Sequence, residues 1–132
     1  MPDTHIFEYA VLRVVPRVDR EEFMNVGVVL FCNKAGFLQT RWHLDADRLR
    51  AFAHYVPDVD ELVAEMTERL GAFERICTGD PDGGPIGQLP PASRFRWLTA
   101  ARSTLLQTSP VHPGLCHNPA DTLAGLFGQL VG

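Results

Sequence analysis

Between Gly83 and Ala120 the chain has neither aspartate nor glutamate, although sixteen acids occur in its 132 residues. The ionisable nitrogen bases of that segment are Arg94, Arg96, Arg102, His112 and His117, so an anion meets least repulsion there. Lysine is nearly missing as well: eleven of the twelve basic residues are arginine, Lys34 being the exception. An arginine is therefore a compositional habit of this chain before it is a site. No apolar run approaches the roughly 20 residues of a membrane span. The longest is Val26 to Cys32, and the N-terminal MPDTHIFEY lacks a charged region ahead of an apolar one, so a cytoplasmic protein is expected. There is no Cys-x-x-Cys pair. Cys32, Cys77 and Cys116 are odd in number and widely spaced, which excludes a disulfide scaffold and reads as three small hydrophobes in a reducing compartment.

What remains is ordinary for a globular protein: 45% apolar and 21% charged residues, with room for one domain over residues 1–132 and one core. The net charge of −4 argues against a dedicated nucleic-acid binder. Its distribution is uneven. Residues 44–80 hold nine acids against four bases, while residues 81–132 hold two against three.

Ile6 to Val15 (IFEYAVLRVV) is rich in β-branched and aromatic residues and reads as a central strand with both faces largely covered. Pro16 ends it. Glu22 to Cys32 and Phe37 to His43 supply two more strands, and the short turns between them predict an antiparallel meander. Asp45 is placed to cap a short helix running to about Val56. Asp58 and Glu61 have capping-box spacing ahead of a longer helix that buries Leu62, Met66, Leu70, Phe73 and Cys77. The acidic middle is then mostly a solvated helix face. TGDPDGGPIGQLPP reads as a long irregular loop of the kind that is functional or mobile. Gly79 and Gly84 begin a phosphate-loop spacing, but Pro85 and Ile86 stand where its Lys and Ser/Thr belong. A short helix over Pro91–Leu98, a strand over Thr104–Thr108, a turn series SPVHPG and a helix from Pro119 to about Leu130 complete the chain, with Asn118 as N-cap. The expected fold class is α+β: an antiparallel sheet of four or five strands with the helices packed on one face.

Chemistry has few places to sit. Asn25 and Gly27 interrupt the second strand, which marks a bulge, or else aims Asn25 with Glu21 or Glu22 at a ligand. In RFRWLTAARS the arginines interleave with Phe95 and Trp97, a pattern that holds anions or stacks bases, and that equally serves structural pairing. Within RSTLLQTSPVHPGLCHN a nucleophile would be Ser103, Ser109 or Cys116 with His112 as base, yet no acid is near to orient the imidazole. A zinc reading would use His112, Cys116 and His117. It lacks a fourth ligand, and Pro113 and Gly114 break any helical presentation, so no metal and no cofactor is expected.

EYAVLRVVPRVDREEFMNVGVVLFC and GPIGQLPPASRFRWLTAARSTLLQTSPVHPGLC together resemble a bacterial family known only as a domain of unknown function, number 3037. The resemblance implies a short cytosolic protein, and genes beside kinase-like proteins similar to the HipA group imply a protein partner. The family pattern departs at Ser93 and Ala101, and neither departure touches Arg102, Ser103, Gln107, Ser109 or His112. The function these readings favour is a small binding or adaptor module, homodimerisation being compatible with it. Its ligand-binding residues would be Asn25, Arg94, Arg102, Gln107, Ser109 and His112. The alternative is a small enzyme for a phosphorylated or nucleotide-like substrate, with catalytic candidates His112, Ser103 and Glu22 and with Arg94 and Arg102 on the negative charge.

Overall fold

The computed structural model describes residues 4–102 and 104–132. Strands β1 (His5–Val14), β2 (Met24–Cys32) and β3 (Phe37–Trp42) form the expected antiparallel meander, with β1 in the middle of the sheet. Two shorter strands share the far side of β1. β4 (Leu106–Thr108) pairs with Leu12–Val14, and β5 (His112–Cys116) pairs with His5–Tyr9. The fold is α+β with a five-stranded antiparallel sheet.

β5 corrects the reading of SPVHPG as a turn series. Pro113 sits opposite Glu8 on an outer strand, where a missing amide hydrogen is tolerated. Gly114 lies under the Phe7 ring, and a Cβ there would come within 2.6 Å of Phe7 Cζ. The residues that signal a turn are here fitted to a strand edge and an overlying ring.

The helices do not share one face of the sheet, which corrects the expected layering. α1 (Ala46–Phe52), α2 (Val59–Thr78) and α4 (Pro91–Leu98) cover Leu12, Val14, Val29 and Phe31. α5 (Pro119–Leu130) covers the other side, packing Leu123, Leu126 and Leu130 against Phe7, Val28, Leu30 and Cys32. The cause is in β2. Residues Val28 to Cys32 are apolar and buried at every position, and a strand alternates its side chains, so both faces demand a covering layer.

α2 begins where Asp58 accepts a hydrogen bond from the Glu61 amide, 3.1 Å away, and buries the predicted stripe from Leu62 to Cys77. The segment expected to be an irregular loop is mostly helical turn: a 3-10 turn over Pro81–Gly83 leads into one helical turn, α3 (Gly84–Gly87). Asp80 organises it by accepting from the Asp82 amide at 2.8 Å. No helix among the described residues is long and apolar enough to cross a membrane.

Candidate functional site

Most of the sequence-derived candidates are taken up by the backbone around them. Ser109 is buried; its hydroxyl accepts from the Val11 amide at 2.8 Å and donates to the Pro110 carbonyl at 2.9 Å. Those two bonds close the end of β4 onto β1. Glu22 is exposed and paired with Arg20. Ser103 lies outside the described residues. His112 is exposed on β5 with its ring 5.4 Å from that of Tyr9. Cys116 lies four positions further along the strand, about 13 Å away, so the two neither form a nucleophile and base nor share a metal. Burial raises the Cys116 thiol above its ordinary value, with neighbouring Cys32 adding to the shift, so it stays protonated rather than reactive. Among the described residues no group of three His, Cys, Asp or Glu side chains is placed to hold a metal ion.

Asn25 faces α5 from the sheet. Its Nδ2 donates to the Leu130 carbonyl at 3.2 Å, while its Oδ1 is buried without a partner. The β1–β2 register confirms the bulge: Leu12 is opposite Gly27 and Arg13 opposite Asn25, leaving Val26 as the extra residue. Arg94 lies elsewhere. Its Nε donates to the Leu89 carbonyl, and one terminal nitrogen spans the Ile76 and Cys77 carbonyls at 3.1 and 2.7 Å. It therefore caps the C-terminus of α2, where the helix dipole favours a cation. The structure does not gather Asn25, Arg94, Ser109 and His112 around one space.

Two candidates do meet. Arg102 and Gln107 line a groove between α2, α4 and β4 of about 210 Å3. Its apolar walls are Ala72, Phe73 and Ile76 from α2, Trp97 and Leu98 from α4, and Leu106. Arg102 lies over the Trp97 indole, its Cζ 4.4 Å from the ring centroid, and donates to the Trp97 and Leu98 carbonyls at the end of α4. Carbonyls orient a guanidinium without neutralising it. Among the described residues Arg102 has no carboxylate within ion-pair distance, whereas Arg69, on the same groove, is held by Glu65. The Gln107 amide donates to the Thr104 carbonyl at 2.8 Å. Thr108 also lines the groove, with its hydroxyl oxygen buried away from solvent and without a hydrogen-bond partner.

Trp97 was singled out in the sequence with its neighbouring arginines, whereas Thr108 as a lining residue and the α2 wall escaped the reading. One signal was available: Ala72 and Ile76 are an apolar pair four residues apart, each just ahead of the buried stripe positions Phe73 and Cys77. They widen the apolar face beyond what the sheet needs.

The groove is a mostly apolar space lined by two arginines, Arg69 held by Glu65 and Arg102 with no carboxylate partner among the described residues. It suits a small ligand with an apolar body and one anionic end. At about 210 Å3 it falls below the roughly 300–1,000 Å3 usual for cofactor-sized ligands, which disfavours a nucleotide. No curated protein and no solved structure matches the chain. A family model does, over residues 9–131, and its description is "Protein of unknown function (DUF3037)".

Proposed function

The chain belongs to that family of unknown function, and since membership assigns no activity, we propose from the geometry that it is a binding module whose ligand sits in the groove between α2, α4 and β4. The observation that carries this reading is the meeting of Arg102, without a carboxylate partner among the described residues, and the Trp97 indole on one apolar cavity. A hydrogen bond to a charged group contributes about 1.5–3 kcal/mol, and a ligand carboxylate on Arg102 gains it on binding. The ligand is an organic anion with an apolar body: Arg102 meets the charge and Trp97 packs on the apolar part.

The test is a titration of the 15N-labelled protein with phenylacetate and isovalerate, each beside its uncharged amide. The expected result is movement of the Trp97 indole and Thr108 amide resonances with the acids and little with the amides. The acids should bind about tenfold more tightly than their amides, the gain of one hydrogen bond to a charged group. Resonances around the groove that stay still at millimolar acid would overturn the proposal.

A further inference from the structure

The groove runs out onto the free edge of β4. Val15 N–H donates to the Leu105 carbonyl and Ser109 N–H to the Val11 carbonyl, so residues 105, 107 and 109 face β1 in the hydrogen-bonded positions. Leu106 and Thr108 then turn their backbone groups outward. The Leu106 carbonyl is taken by the Thr104 hydroxyl at 2.7 Å. The Leu106 N–H, the Thr108 N–H and the Thr108 carbonyl have no hydrogen-bond partner among the described residues, and both residues line the groove. Among the described residues no strand follows β4 on this side of the sheet.

An apolar cavity, a cation at its rim and an open strand edge therefore lie side by side. We infer that the ligand is the C-terminus of an extended peptide, which adds to β4 as a short strand, places its last side chain among Phe73, Ile76 and Trp97, and sets its terminal carboxylate against Arg102. This rests on the groove reading and narrows it to a protein partner. A free amino-acid-sized acid would use the cavity and leave the strand edge empty. An internal acidic side chain would bring charge but no apolar group on the same residue. Within a peptide chain only a C-terminal apolar residue carries a hydrophobic side chain and a carboxylate on one Cα, and the groove brings apolar walls and Arg102 together. The acid-free segment from Gly83 to Ala120 complements that negative end.

The experiment uses the full chain, 15N-labelled, and acetylated pentapeptides Gly-Ser-Thr-Val-X with X as Val, Leu, Ile, Met or Phe, each as free acid and as C-terminal amide. Expected is binding of at least one acid with shifts at the Leu106 and Thr108 amides and the Trp97 indole, at least tenfold weakening for its amide, and slower hydrogen exchange at Leu106 and Thr108. Because Arg102 also caps α4, the amide peptides carry the test rather than an Arg102 variant. Equal binding of acid and amide, or no binding by any peptide while phenylacetate still moves Trp97, overturns the peptide inference and leaves the groove reading standing. Silence of peptides and phenylacetate alike overturns both.

Discussion

Gly27 shows how one residue sets the register of two faces. The bulge before it lets Asn25 and Val28 both point toward α5, an odd and an even position on one side of the same strand. The strand can fold this way because β3 comes very close: a Cβ on Gly27 would lie 2.8 Å from Trp42 Cβ and 2.9 Å from the Arg41 carbonyl oxygen. Backbone cannot yield as a side-chain tip can, so Gly27→Ala should cost about 1–3 kcal/mol, read from the midpoint of urea unfolding. A midpoint equal to the parent's would show that the strands can part there. At Cys77 burial raises the thiol to about 12 from an ordinary value near 9. The unfolded chain loses this proton above about pH 9 while the folded chain keeps it, so the folded state is favoured below pH 9 and loses stability as pH rises toward 12. Cys77→Ala should start less stable and fall less steeply over that window; parallel curves would refute the burial argument. The bulge was legible from an Asn and a Gly inside an apolar strand. Which neighbour the glycine must admit was not, since Trp42 is fifteen positions away and only pairing brings it near.

Arg94 and Arg102 do the same work on two helices, and that work is only visible at the scale of elements. Each lies beyond or across from a helix C-terminus and donates to its last carbonyls, Arg94 for α2 and Arg102 for α4. Arg94 also ties the α2 end to the turn at Leu89. Arg94→Met keeps most of the apolar stem and removes three hydrogen bonds, so it should destabilise by about 1–3 kcal/mol and speed hydrogen exchange from Gly79 to Leu89 ahead of the rest. Uniform loss of protection would mean that Arg94 staples nothing local. The helices themselves were legible because their signals are local: Asp58 and Asn118 cap α2 and α5 as the sequence suggests, and α4 and α5 begin at the expected prolines. What failed was any segment whose Gly and Pro serve tertiary contact rather than a turn. Residues 80–88 became helical turns and His112–Cys116 became a strand, because an aspartate cap in one case and β1 with Phe7 in the other set the backbone. The groove escaped for a related reason. Its walls come from α2, α4 and β4, and no single stretch of sequence holds those apolar walls and the cation together.

On the scale of the whole molecule the sheet divides the interior into two cores of unequal size. The larger, under α2 and α4, contains Cys77; the smaller, under α5 alone, contains Cys32 and Cys116. α5 is held at its far end by Asn25 on Leu130 and by Arg48 on the Val131 carbonyl. Removing one helix exposes the smaller core, whereas Cys77 is reached only when the larger core opens. A thiol reagent should therefore modify Cys32 and Cys116 faster than Cys77 under native conditions, and with a shallower dependence on denaturant, since a local opening exposes less surface. Two variants separate the cores. Leu123→Ala destabilises the native state relative to every opened form and should speed modification of all three thiols. Met66→Ala weakens only contacts that survive when α5 lifts, so it should speed Cys77 by tens- to thousands-fold, the range of a 2–5 kcal/mol cavity, and leave Cys32 and Cys116 unchanged. Equal rates at the three thiols in the parent protein, or equal acceleration by Met66→Ala, would mean that the two faces unfold as one.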